Sequence, residues 1–81
     1  MNTIDYIKFE IKKLYEAQTV IHVSITISHP KTEIKNDPAI ITGVYSNLFR
    51  IEETSTGIPV THTLKYSDIL TKQIAISEIT I

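Results

Sequence analysis

Hydrophobic and polar positions alternate most clearly between residues 19 and 28. One face of this segment carries Ile21, Val23, Ile25 and Ile27, and the other face carries mostly polar side chains. A period of two is typical of a strand with one buried face. We therefore predict a strand over Thr19–Ser28, with Val23 facing the core and Ser24 facing outward.

The first sixteen residues follow a helical period, which predicts a helix over about residues 2–16. The apolar positions that share one helix stripe are Ile4, Ile7, Ile11, Leu14 and Tyr15. Tyr6 and Phe9 lie on the opposite face, because each residue advances about 100° around a helix. These two rings indicate a contact surface for another protein or for a second copy of the chain. The alternative is that the helix packs between two apolar surfaces of its own domain.

Four further strands are predicted downstream. The polar segment His29–Pro38 begins after the first strand, contains two prolines and is predicted to be a loop. Strands are then expected over Ala39–Tyr45, from about Phe49 to about Glu53, over Pro59–Tyr66 and over Lys72–Ile79, with a tight turn at Ser46-Asn47 and a hairpin loop at Thr54–Gly57.

The run Leu64–Ile74, LKYSDILTKQI, predicts a strand, one turn of helix and another strand. Ser67 and Asp68 favour a turn or a helix start, since their side chains bond nearby backbone groups. Ile69 and Leu70 indicate that the turn is packed under a core. A corner of this kind near the end of a short β-rich chain is typical of small SH3-like barrels.

These elements predict one domain over residues 1–81, of the α+β class and mainly β. The helix of about residues 2–16 is expected to pack on a five-stranded SH3-like antiparallel barrel over about residues 19–80. The predicted core consists of Ile21, Val23, Ile25, Ile41, Phe49, Ile51, Leu64, Leu70, Ile74 and Ile76.

The amino-acid composition indicates which cellular compartment and which classes of partner to expect. The net charge of −1 lacks the basic surplus that is usual in domains that hold phosphate backbones. The absence of cysteine fits a reducing cytoplasm. The N-terminus lacks the apolar run of a signal peptide, and no stretch approaches the roughly 18–20 apolar residues that span a bilayer. We expect a soluble, cytoplasmic protein with no membrane partner.

The histidines do not have the spacing of a metal site. His22 and His62 fall on separate predicted strands and His29 opens a predicted loop, without the close pairs that zinc sites show. We predict no metal site and no cofactor.

No arrangement of polar residues predicts catalysis. Ser67, Asp68 and His62 are close in sequence, but a carboxylate at a helix-starting turn has a sufficient structural role as a cap. Glu52 and Glu53 fit a solvated strand end better than an acid–base pair. We therefore expect a protein that is not an enzyme.

Nucleic acid is the alternative partner, because small barrels often bind it through aromatic and basic side chains. Phosphates could be contacted by Arg50, Lys65 and Lys72, and bases could stack on Tyr45, Phe49 and Tyr66. The competing interpretation is that these three aromatic side chains fill the core.

The segment Ala39–Ile76 resembles the Veg family of Firmicutes, whose members are implicated in stimulating biofilm formation. The resemblance is carried by AIITGVYSNLFRIEE and by HTLKYSDILTKQIAI, which contains the corner Asp68-Ile69-Leu70-Thr71. The family also places a helix where residues 2–16 lie. The loop after the first strand departs from the family, because SHPKTEIKND has no net charge where a loop rich in Gly, Arg and Lys is usual.

The resemblance implies an SH3-like barrel with an N-terminal helix and a regulatory role without catalysis. We expect a non-enzymatic cytoplasmic module that binds a protein partner, forms a homodimer through Tyr6 and Phe9, and is linked to biofilm formation. The alternative function is that of a small nucleic-acid-binding barrel.

Overall fold

The computed structural model describes residues 3–28, 31–53 and 57–79. Within these ranges, two helices and five strands follow one another. They are α1 (Thr3–Glu16), β1 (Ile21–Ser28), β2 (Lys31–Val44), β3 (Leu48–Glu53), β4 (Val60–Lys65), α2 (Tyr66–Leu70) and β5 (Ile74–Ile76). His29 and most of the predicted loop Thr54–Gly57 lie outside the described residues.

The strands form one antiparallel sheet in the order β4-β3-β2-β1-β5. An N-terminal helix with a five-stranded antiparallel sheet confirms the predicted α+β, mainly β class. The barrel is not closed, since β4 and β5 form the two edges of the sheet. The short helix α2 connects these edges along the chain and contacts both of them.

The core lies between the sheet and the two helices. It consists of Ile7, Ile11, Ile21, Val23, Ile25, Ala39, Ile41, Phe49, Ile51, Leu64, Tyr66, Ile69, Ile74 and Ile76. The helix stripe is confirmed, because Ile7 and Ile11 are fully buried and the stripe packs on β2 and α2. The phase of β1 is also confirmed, with Val23 buried and Thr26 exposed.

The prediction that Leu70 belongs to the core is wrong. Leu70 is 45% exposed, and Ile69 is the buried aliphatic residue of α2. Ile69 lies three positions after the buried Tyr66, so both side chains fall on one helix face. Leu70 is rotated a further 100° or so and points away from the core.

The prediction of a loop over His29–Pro38 is also wrong, because β2 begins at Lys31. A bulge between Val23 and Ile25 interrupts the pairing, and Asn36 adopts a φ of 51° there while its N–H donates to Ser24 Oγ at 2.9 Å. The extra residue breaks the alternation that marks a strand in sequence.

Pro38 is tolerated within β2 for a reason of geometry. It pairs with His22, whose own N–H and carbonyl bond to Glu78 and Ser77 on the β5 side. His22 and Pro38 therefore form a pair without mutual hydrogen bonds, and the missing N–H of Pro38 costs no bond to β1.

The last strand is shorter than the predicted Lys72–Ile79. Lys72 has a φ of 66°, which does not belong to a strand, and β5 pairs with β1 only through Ile74–Ile76. Beyond β5, the Glu78 side chain accepts the His22 backbone N–H at 2.8 Å. A carboxylate therefore continues the contact where the strand has ended.

Tyr66 fastens the turn between β2 and β3 to the core. Its hydroxyl donates to the backbone carbonyl of Tyr45 at 2.7 Å, and its ring stacks on Phe49 with centroids 5.4 Å apart. Burial raises the pKa of Tyr66, so the hydroxyl remains a donor through the physiological range.

We expect Tyr66→Phe to lower the free energy of unfolding by about 1 kcal/mol, because it removes this hydrogen bond and keeps the ring. Urea unfolding measures the change. Tyr15→Phe is the matched control, since the Tyr15 hydroxyl has no hydrogen bond to any described residue and its loss should cost less than about 0.5 kcal/mol. Equal losses in the two variants would contradict the assignment.

Candidate binding surface around Tyr45

Tyr6 and Phe9, the predicted contact residues of α1, differ in exposure. Phe9 is 52% exposed, and the Lys13 ammonium lies 5.4 Å from its ring centroid. Tyr6 is half-buried, and a hydrogen bond with Glu10 raises its pKa above the ordinary value. Glu10 also pairs with Lys13 at 3.1 Å, so both rings adjoin one small polar network. Their role in binding stays a prediction.

Of the three predicted phosphate contacts, the structure brings two to one surface. Arg50 and Lys65 are exposed on adjacent strands, where Arg50 pairs with Thr63 and Leu48 pairs with Lys65. Both therefore lie on the outer face of the β3–β4 hairpin. Lys72 follows α2 and lines a different groove of about 230 Å³ with Ile69 and β5.

Tyr45 is exposed, whereas Phe49 and Tyr66 are buried. Its exposed fraction is 48%, and its ring lies against Gly43 two residues earlier. A Cβ on Gly43 would stand 2.7 Å from Tyr45 Oη and 2.9 Å from two ring carbons. The residue at position 43 must therefore be small for the ring to lie there. A glycine inside a predicted strand was the available signal for such a close approach.

Arg50 completes this arrangement from the neighbouring strand. A bulge in β2 between Ile41 and Gly43 places Gly43 opposite Arg50. The guanidinium carbon of Arg50 then lies 5.7 Å from the Tyr45 ring centroid, within the range of a cation–π contact. The ring thus holds a long cationic side chain close to the sheet.

Two open grooves meet at Tyr45, each of about 350 Å³. We call the first the Tyr45 cleft; it lies between α1 and the end of β2 and is lined by Lys8, Lys12, Tyr15, Glu16, Val44, Tyr45 and Ser46. The second extends along the β2–β3 turn to Arg50.

The basic side chains around these grooves are available to a ligand. Lys8 and Lys12 are one helical turn apart and therefore project from the same side of α1. Neither they nor Arg50 and Lys65 form an ion pair with another described residue. Glu16 is the acidic residue among the described lining.

His22 and His62, the histidines among the described residues, each pair with a carboxylate. His62 Nε2 lies 3.3 Å from Glu53, which is only 8% exposed, and His22 Nδ1 lies 2.9 Å from Glu78. Across the described ranges, no three or more His, Cys, Asp or Glu side chains gather as a metal site would require. The hydrogen-bond partner of His62 is therefore Glu53 on the neighbouring strand β3, and not Ser67 or Asp68 further along its own chain segment.

We expect Gly43→Ala to displace the Tyr45 ring at a cost of less than about 1 kcal/mol, because an exposed side chain can rotate away. The ring-current shift on the Arg50 side-chain protons should then be lost, as in Tyr45→Ala. Proton NMR measures it. Unchanged Arg50 shifts in a folded Gly43→Ala protein would show that the contact does not constrain the ring.

The pairing of Glu78 predicts a pH dependence. Burial tends to raise the pKa of Glu78, but hydrogen bonds from the ring and backbone of His22 outweigh it and hold the pKa below the ordinary 4.5. The ionised Glu78 carboxylate therefore stabilises the folded state above pH 4.5. This contribution is lost as the pH falls through the lower pKa that Glu78 has in the folded state.

We expect Glu78→Gln to reduce the fall in Tm between about pH 6 and about pH 3, since this loss is absent from the variant. Glu33→Gln, at an exposed position, serves as the control and should follow the wild type. An identical fall in Glu78→Gln and the wild type would contradict the prediction.

No helix among the described residues is both long and apolar enough to cross a membrane.

No curated protein matches the chain. The sequence model of a family described as biofilm formation stimulator VEG matches residues 2–77, which is nearly the whole chain and includes α1, the Tyr45 cleft and the corner at α2. This chain therefore belongs to the VEG family of biofilm formation stimulators.

Proposed function

We propose that this chain is a non-enzymatic, cytoplasmic regulator that acts on biofilm formation by binding another protein. The family description supports a regulatory role linked to biofilm. The observation that carries the binding role is the exposed Tyr45 ring beside Arg50. Tyrosine and arginine are the residue types that most often dominate the free energy of protein–protein contacts.

A photocrosslinking residue tests this function in the native host. p-Benzoylphenylalanine at position 45 or 9 should give specific protein adducts, because both positions are exposed aromatics. The same residue at position 35, an exposed lysine on β2, is the control. Adducts that are the same at all three positions, or a chromosomal deletion that leaves biofilm unchanged, would contradict the proposal.

Nucleic-acid binding is the second candidate function, and one observation favours it. Tyr45 offers an exposed ring near Arg50, and Lys65 lies on the same outer face. A mobility-shift titration at about 50 mM and about 200 mM salt separates the two functions. Micromolar binding that weakens steeply with salt would support nucleic acid, because phosphate contacts release counterions.

We also propose that the chain forms a homodimer through the Phe9 side of α1. Burying a half-exposed aromatic ring gains apolar contact for a domain too small to bury a large core. We expect a concentration-dependent dimer in sedimentation velocity that Phe9→Ser shifts to monomer. Ile40→Ser, at an exposed position on the sheet, is the control. A wild type that stays monomeric at high micromolar concentration rules out the dimer.

A further inference from the structure

Basic side chains line both grooves that meet at Tyr45. Lys8 and Lys12 line the Tyr45 cleft from α1, and Arg50 lines the second groove from β3, with its guanidinium near the Tyr45 ring. The chain as a whole carries a net charge of −1, so this positive charge is local and not part of a basic surface. A local excess of one sign favours a ligand that carries the opposite sign.

The surface of the Tyr45 cleft is mainly apolar. Val44, the half-buried Tyr15 and Tyr45 line it together with the two lysines. A ligand that spans both grooves must therefore present apolar side chains to this lining and negative charges to the lysines and to Arg50. Extended peptide segments with alternating side chains meet both requirements at once.

We propose that an acidic segment of the partner protein binds across the two grooves that meet at Tyr45. An apolar side chain packs on Tyr15, Val44 and Tyr45 in the Tyr45 cleft, and carboxylates face Lys8 and Lys12 there and Arg50 in the second groove. This inference rests on the proposed function and specifies the surface and the chemistry of the partner. Arg50 is held near the sheet by the Tyr45 ring, so it loses less side-chain freedom when it pairs with a carboxylate.

The same lining is less suited to a nucleic acid. Glu16 lines the cleft together with Lys12, and its negative charge would repel a run of phosphates bound there. Tyr45 is the exposed ring of this lining, whereas binding of single strands rests on several rings that stack successive bases. An acidic peptide can place its carboxylates away from Glu16.

Peptide selection tests the chemistry without knowledge of the partner. A phage-displayed library of random peptides of about 12 residues is selected on the wild-type protein. The expected peptides combine Asp or Glu with an aromatic or aliphatic residue. Their binding should shift the amide signals of residues 8–16 and 44–50 in a two-dimensional NMR spectrum.

Charge reversal locates the site. Lys8→Glu combined with Lys12→Glu should weaken binding of the selected peptides by about tenfold or more, and Arg50→Glu, in the second groove, should do the same. Lys35→Glu combined with Lys72→Glu is the matched control, because it changes the net charge equally away from the cleft. The control should change binding by less than about twofold.

Three results would overturn the proposal. The first is a selection that yields no peptide, or only peptides without acidic residues. The second is peptide binding that is unchanged both in the Lys8→Glu, Lys12→Glu protein and in the Arg50→Glu protein. The third is tight, salt-sensitive binding of an oligothymidine of about 12 nucleotides that shifts the same amide signals. If a protein adduct forms in cells at position 45 and persists in the Lys8→Glu, Lys12→Glu protein, the regulator function stands and the acidic-segment proposal fails.

Discussion

The hydrogen bond from the Tyr66 hydroxyl to the Tyr45 carbonyl connects the parts of this fold that the sheet leaves apart. β4 ends at Lys65 and α2 begins at Tyr66, so the bond ties the start of the final corner to the turn between β2 and β3. The Tyr66 ring also packs on Phe49 in the core. Because the chain has no cysteine, contacts of this kind must fix the open sheet without disulfides.

β2 is the strand on which the curvature of the sheet depends. It pairs with both β1 and β3 and carries one extra residue at each of its two bulges, near Asn36 and near Thr42. Bulges increase the twist and bend of a strand. The same strand packs on α1, whose Ile7 and Ile11 are fully buried, and its second bulge sets Gly43 opposite Arg50.

Much of this fold could be predicted because burial imposes a simple period on the sequence. The alternation in β1 gave the inward side chains correctly, and the helical period of α1 placed Ile7 and Ile11 in the core. The strand over residues 31–38 is not apparent in the sequence, because the bulge interrupts the alternation. Pro38 fits there only because Ser77 and Glu78, just after β5, take the backbone hydrogen bonds of His22. That dependence joins residues far apart in the chain, so no local pattern reveals it.

The candidate site was harder to predict than the core. The sequence predicts Arg50, Lys65 and Lys72 as phosphate contacts and leaves open whether Tyr45, Phe49 and Tyr66 stack on bases or fill the core. The structure buries Phe49 and Tyr66 and leaves Tyr45 exposed, with its ring over Gly43. No local pattern separates the three rings, because all of them lie in or near strands. Nothing in the sequence marks Lys8 and Lys12 as binding residues, because lysines are common on the polar side of a helix. Their place in a cleft depends on the packing of α1 beside the end of β2.

The brief β5 has a consequence for the solubility of an isoleucine-rich chain. An open sheet edge is a template on which another molecule's strand can add, and long edges are the most hazardous. This edge offers only Ile74–Ile76 before the backbone turns away, and the Glu78 carboxylate then occupies the His22 N–H that a longer strand would have met. A negative charge at the end of so short an edge discourages a second molecule from extending the sheet on the β5 side.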